Sequence, residues 1–160
     1  MIDLSYQKGA YCMAGILTGY VRHSVDDKNR TRIPAKFKEV LTAPLYFVPA
    51  DNDCILLLPE QRAKEMMERS RANISVFDTD AQNPTTFLLS HTYEVKEDGQ
   101  GRITLPSDLK KMAQIDKDLV FVGKFDYAEI WAAETWERKF SVLEKGNLSA
   151  MIAKLKSYGL

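Results

Sequence analysis

The sequence predicts an α+β fold that is mostly β, built from two tandem copies of one small unit with flanking helices. Three observations carry this: a stretch that occurs twice, apolar and polar alternation leading into a tight turn in each copy, and a charged helix after each. In the duplicated stretch, Asp26, Arg30 and Pro34 recur as Asp98, Arg102 and Pro106 at a constant offset of 72 residues. Ile33 then falls on Leu105 and Phe37 on Leu109. After a further shift of two residues, Phe47 and Val48 fall on Phe121 and Val122, and Leu56 and Leu57 on Ile130 and Trp131. Order and spacing held over this length predict a duplicated folding unit.

Each copy reads alike. Alternation over Tyr20 to Val25 and over Thr92 to Glu97 predicts strands with one buried face. The turns follow at Asp27 to Asn29 and at Asp98 to Gly101. Asn29 and Gly101 are equivalent, and both residue types accept positive φ, which fits a hairpin with a left-handed residue. Asp26 and Asp98 are predicted to accept hydrogen bonds from nearby backbone N–H groups in these turns. Thr31 to Ile33 and Ile103 to Leu105 return as short strands ending at Pro34 and Pro106, which suit the first turn of helices over Ala35 to Leu41 and Ser107 to Ala113. Further strands are predicted at Leu45 to Val48, Cys54 to Leu58, Leu119 to Val122 and Ala128 to Trp131.

Helices beginning near Pro59 and Glu134 close the copies. The second carries Trp136, Phe140 and Leu143 as one stripe, and the first a weaker stripe of Ala63, Met66 and Met67. Residues 78–89 read as a connector, with a short helix from Asn83 and Pro84 to Leu89. Residues 147–160 read as a final helix whose stripe at Leu148, Met151, Ile152 and Leu155 is suited to a neighbouring subunit. The expected division is an extension at 1–15, in which Met13 offers an alternative start, a first repeat at 16–77, the connector, a second repeat at 90–146, and the tail helix.

Lys plus Arg equals Asp plus Glu at 22 each, so any nucleic-acid surface has to be local. Cys12 and Cys54 lack metal-ligand or disulfide spacing and read as free thiols. His23 and His91 stand apart from any ligand cluster, so no metal is expected. No P-loop, dinucleotide fingerprint or Ser-His-Asp arrangement occurs, and no cofactor, small-molecule substrate or enzymatic activity is expected. No apolar run approaches the 18 or so residues of a membrane span, so no membrane partner is expected either.

From residue 16 to about 145 the chain resembles the MraZ family of bacterial regulators. The resemblance rests on Ile16 to His23, on the two Asp-x-x-x-Arg-x-x-x-Pro boxes at Asp26 to Pro34 and Asp98 to Pro106, and on Phe87 to Leu89. It continues through Val122 to Phe125, Glu129 to Trp131 and Trp136. Two departures stand out: Asn29 occupies a position where the family usually has glycine, and residues 1–15 have no counterpart. The resemblance implies an AbrB-like swapped-hairpin fold in which the two repeats form one pseudo-dimeric, β-barrel-like domain. It also implies a cytoplasmic, nucleoid-associated DNA-binding regulator, usually a repressor of the cell division and cell wall gene cluster, that binds direct repeats upstream of its own operon. The expected partners are double-stranded DNA and further copies of the chain in a ring, octamer-like.

Local charge gives a pointer independent of the family. Residues 22–39 carry six basic and three acidic groups, whereas residues 94–111 carry four of each. Phosphate attraction supplies most sequence-independent affinity, so the first box is the expected DNA face. Arg30 leads, with Lys28, Arg32, Asn29, Arg22 and Lys36 around it, since a guanidinium can hold a phosphate or a guanine edge bidentately. A structural brace between Arg30 and Asp26 is the competing role, and at Arg102 the brace is the first reading. Arg102 and Gln100 are therefore secondary DNA candidates, and Asp26, Asp98, Gly101, Pro34 and Pro106 are expected to shape the turns. A rival function is an interaction protein whose partner is a toxin or a division factor.

Overall fold

The computed structural model describes residues 10–13, 15–140 and 145–160, with side chains for 15–140 and 146–160. Nine strands form within it: β1 (Ala10–Met13), β2 (Ile16–Ser24), β3 (Arg30–Thr31), β4 (Leu45–Pro49), β5 (Ile55–Pro59), β6 (Tyr93–Glu94), β7 (Ile103–Thr104), β8 (Asp118–Lys124) and β9 (Tyr127–Ala132). Five α-helices accompany them: α1 (Glu60–Asn73), α2 (Thr79–Ser90), α3 (Ser107–Met112), α4 (Ala133–Phe140) and α5 (Lys145–Ser157). The fold is α+β, with a mainly antiparallel sheet.

Seven strands lie in the order β1, β2, β8, β9, β5, β4, β6, and β3 pairs with β7 in a separate two-stranded ribbon. Every pairing is antiparallel. The strands that precede the boxes each pair with a strand of the other half of the chain: β2 lies on β8, with Tyr20 opposite Val122, and β6 lies on β4, with Tyr93 opposite Phe47. The hairpins β4–β5 and β8–β9 meet in the middle, Ile55 opposite Ile130. Among the described residues no pairing joins the two ends of the sheet.

The apolar positions of the boxes are what bury them. Ile33, Phe37, Ile103, Leu105 and Leu109 enter one core with Phe47, Leu57, Phe121 and Ile130, and Phe37 meets Phe121 edge-on with ring centroids 6.3 Å apart. A smaller cluster surrounds Trp131, buried with Cys54 and Val120. Trp136 and Phe140 of α4 close over it, 6.4 and 5.3 Å from the Trp131 ring. Leu143, predicted on the same stripe, lies outside the described residues. On α1, Ala63 is buried and Met66 packs against Val48 and Leu58, while Met67 does not join that cluster.

Three predicted elements differ. Residues 10–13 of the expected extension form β1 on the edge of the sheet, where Ala10 faces Gly19 and Met13 faces Ile16, because β2 starts earlier than its alternation showed and leaves an edge to pair. The connector is helical from Thr79: the Asp78 carboxylate caps it, accepting from the N–H groups of Asp80 and Ala81 at 3.1 and 3.3 Å, so Pro84 falls inside α2 rather than at its start. One backbone bond is lost there, on a helix with no buried residue. The helix predicted over Ala35 to Leu41 shrinks to a 3-10 turn at Phe37–Glu39. Phe37 and Leu41 are both anchored in the core, and so short a segment does not sustain a helix of its own.

Candidate nucleic-acid interface

The two box turns are built atom for atom alike. In the first, the N–H of Asp26 donates to the carbonyl of Arg30 at 2.9 Å and that of Asn29 to the carbonyl of Asp26 at 3.0 Å. Oδ1 of Asp26 accepts from the N–H groups of Lys28 and Arg30, both at 2.9 Å, and Oδ2 accepts from Nε of Arg30 at 2.7 Å. In the second, Oδ1 of Asp98 accepts from the N–H groups of Gln100 and Arg102 at 2.9 Å, and Oδ2 from Nε of Arg102 at 2.7 Å. Asn29 and Gly101 hold φ of 58° and 75°, the left-handed conformation that a short polar side chain or none permits.

These bonds set the electrostatics. The backbone N–H of Arg102, followed by that of Gln100 and the Arg102 guanidinium, holds the Asp98 carboxyl down at about 2. Asp26 is lowered for the same reason, with the Arg30 N–H the largest cause. Both aspartates therefore stay charged at neutral pH and fix their arginines through Nε. The two Nη groups of each arginine, the pair able to straddle a phosphate or a guanine edge, have no partner among the described residues. The side chains of Arg30 and Arg102 are exposed to nearly the same degree, 27% and 26%, so the two are equivalent in bracing and in exposure.

The turns also lie side by side. Arg30 of β3 faces Thr104 of β7, and the N–H of Leu105 donates to the carbonyl of Asn29 at 2.8 Å. Nη1 of Arg32 crosses to the second turn and donates to the Gln100 carbonyl at 2.5 Å. Lys38 pairs with Glu97 beside it, and a Cβ built on Gly101 would sit 3.7 Å from Nη1 of Arg32 and 3.8 Å from Nζ of Lys38. Lys28 is exposed at the tip of the first turn. The candidates from both boxes are thus brought together on one face.

Arg22 and Lys36 are engaged elsewhere. Arg22 pairs with Glu137 of α4, next to the tilted contact between the rings of Tyr20 and Trp136. Lys36 pairs with Glu39 at 3.1 Å and its side chain is only 13% exposed. Pro34 and Pro106 stand at helical starts, their carbonyls accepting from the N–H groups of Phe37 and Lys110, both at 2.9 Å. Sequence reasoning did not single out Lys38 or Glu97 as site residues. The signal available was their opposite charge 59 residues apart, uninterpretable until the strands are paired.

Nothing in the described residues adds catalytic chemistry to this face. His23 donates from Nδ1 to the Arg32 carbonyl (2.8 Å) and packs on Phe121; His91 donates from Nδ1 to the Phe87 carbonyl at 2.7 Å. The Cys54 thiol is buried on Glu129, and burial pushes its pKa far up, which keeps it protonated and unreactive. No group of His, Cys, Asp and Glu suited to a metal ion occurs among the described residues, and no helix there is long and apolar enough to cross a membrane.

Comparison with known proteins places this architecture. Residues 88–156 match the family model for MraZ protein, antitoxin-like in its description. The protein of Caldanaerobacter subterraneus subsp. tengcongensis named Transcriptional regulator MraZ is 34% identical over 122 residues, spanning 76% of this chain and 85% of that one. Proteins of the same name from Natranaerobius thermophilus and Moorella thermoacetica are 36% and 35% identical over 119 residues, each spanning 74% of this chain and 82% of theirs. These relatives are named as regulators and not as enzymes. Identical at about a third of the aligned positions along most of the length of such proteins, this chain belongs to the MraZ family.

Proposed function

We propose that this protein is a cytoplasmic, nucleoid-associated transcriptional regulator that binds double-stranded DNA through the face formed by its two box turns. The observation that carries the reading is the pair of identically braced arginines, Arg30 and Arg102, set on adjoining turns with their Nη groups unpartnered among the described residues. A guanidinium held through Nε by a carboxylate loses little further freedom on meeting DNA, and β-ribbons present such side chains to a groove. Lys28 at the turn tip adds phosphate attraction. Arg22 and Lys36, each held by a carboxylate, contribute less.

Resemblance to the family supports a finer reading. The two halves act as tandem swapped-hairpin repeats, at 16–77 and 90–146, in one pseudo-dimeric domain. Support comes from the strand order, in which the strand before each box pairs in the other half. Several copies assemble in an octamer-like ring, engage direct repeats upstream of their own operon, and repress a cell division and cell wall gene cluster. Linked faces of modest individual affinity gain avidity on tandem sites.

The test is a fluorescence anisotropy titration of a duplex carrying the promoter of the chain's own operon, with scrambled duplex as competitor. Arg30→Ala and Arg102→Ala are each expected to weaken binding at least about tenfold, the loss of one bidentate contact, with the assembled mass unchanged. Wild-type binding that scrambled DNA competes equally well would remove the sequence-specific reading. Unchanged affinity in both variants would leave the arginines as braces only. The antitoxin-like description of the family model favours a second reading, a toxin-binding partner protein, which a toxin gene beside this one would support.

A further inference from the structure

The tail helix α5 has an apolar stripe that nothing among the described residues of its own chain covers. Leu148, Met151, Ile152 and Leu155 fall at i, i+3, i+4 and i+7 and are 38–49% exposed, and every described side chain of the helix is exposed. Thirteen residues are too few for a stable helix in water without tertiary packing, so the stripe requires a partner surface.

A surface of matching character lies between α1 and α2. There Met67, Ile74, Val76, Pro84, Leu88 and Leu89 line an apolar groove of about 440 Å³ to which no α5 residue contributes. Val76 at its edge is 75% exposed and Leu89 is 51% exposed. Charge is complementary as well. Residues 145–160 contain Lys145, Lys154 and Lys156 and no acid, whereas residues 72–93 contain Asp78 and Asp80 and no Lys or Arg. The one charged residue of the lining is Arg71, on the α1 wall; Asp78 and Asp80 stand at the start of α2, between the lining residues Val76 and Gln82 in sequence.

We infer that α5 of one copy seats its stripe in the α1–α2 groove of a second copy of this chain. The lysines near the C-terminal end of α5 meet the aspartates at the start of α2, so the two helices run antiparallel, an arrangement their dipoles also favour. A tail in a neighbour's groove is a head-to-tail contact, which repeats around a closing rotation into a ring. The inference rests on the many-copy reading proposed above and gives it a specific joint.

The joint is tested by disulfide trapping in a Cys12→Ser background, where Cys54 is buried and out of reach. Copies carrying Ile152→Cys are mixed with tagged copies carrying Leu89→Cys, oxidised, and run on a non-reducing gel; both positions are exposed, so neither change disturbs folding. The expected product is a mixed disulfide dimer as the dominant band, reduced at least fivefold when Asp80→Lys is added to the groove copy, and reduced by high salt. A chain carrying both cysteines that closes only an internal bridge would overturn the inference in favour of its own groove. Mixed dimer no more abundant than with a Lys156→Cys control would overturn it too. Light scattering on the wild type separates the failures: a multimer without the cross-link sinks this joint alone, and a monomer near 18.2 kDa sinks the many-copy reading with it. The DNA titration decides the DNA reading independently of both.

Discussion

Replacing Gly123 by alanine should separate β2 from β8 at the point where the two halves of the chain are most tightly joined. A Cβ on Gly123 would stand 2.8 Å from the backbone C of Leu17 and N of Thr18 and 2.9 Å from Cβ of Leu17. Carbon atoms in comfortable contact lie about 3.5–4.0 Å apart. The obstacle is backbone and cannot swing aside. Leu17 is 1% exposed, and its own N–H and carbonyl are tied to Phe125 at 2.6 and 3.1 Å, so relief means shifting the start of β2 off its neighbour. Overpacking of this kind costs about 1–3 kcal/mol. For a domain of this size each kcal/mol lowers Tm by about 2–4 °C, so a fall of roughly 4–8 °C is expected for the middle of that range. A thermal melt measures that fall, and urea denaturation followed by tryptophan fluorescence, at one fixed chain concentration, measures the free energy. Gly99→Ala is the control, since nothing lies within 4 Å of that position. If Gly123→Ala unfolds at the same urea concentration as the wild type and the control, the close-approach argument is wrong.

Other outcomes follow from the boxes and the core beneath them. The Asp98 carboxyl sits at about 2 against an ordinary 3.8, so the stability it contributes is complete above about pH 4 and is lost as pH falls from there towards 2; Asp98→Asn should flatten the dependence of the urea midpoint on pH across that window, and an unchanged slope would contradict the assignment. Leu109→Ala, at a side chain with no exposure, should cost about 2–5 kcal/mol, while Met112→Ala on the exposed face of the same short helix should stay within about 0.5 kcal/mol, both read from chemical denaturation. Asn29→Ala, at a φ of 58°, should destabilise by about 1–2 kcal/mol and Asn29→Gly by no more than a few tenths; equal melting of the two would rule out backbone strain at that turn.

The parts of this molecule written in short-range chemistry were legible in the sequence. Asp26 with Asn29, and Asp98 with Gly101, specify their turns through bonds spanning at most four residues, so the hairpins and the left-handed positions could be placed from local residue types. Ile33, Phe37, Leu105 and Leu109 could be placed in a core because the duplication shows the same apolar positions twice. What escaped depends on pairing between distant strands. The contact of Arg32 with Gln100 spans 68 residues and that of Arg22 with Glu137 spans 115, and neither has any local signature. The charge difference between residues 22–39 and 94–111 separated two boxes that the fold sets beside each other, because a count along the chain is blind to β3 lying on β7. The length of α2 was missed because Pro84 drew attention as a start signal, while the capping carboxylate of Asp78 lay five residues before the predicted start.

The exchange of strands between halves bears on how this gene can change. Because β2 completes the sheet of the second half and β6 that of the first, neither half is an independent evolutionary unit. A backbone cut at the exposed Val76 and Phe77 would leave two fragments interlocked through the β2–β8, β5–β9 and β4–β6 contacts, each holding strands the other needs. Deletion of either half would strand the remainder. The weave of strands makes each half depend on the other for a complete sheet.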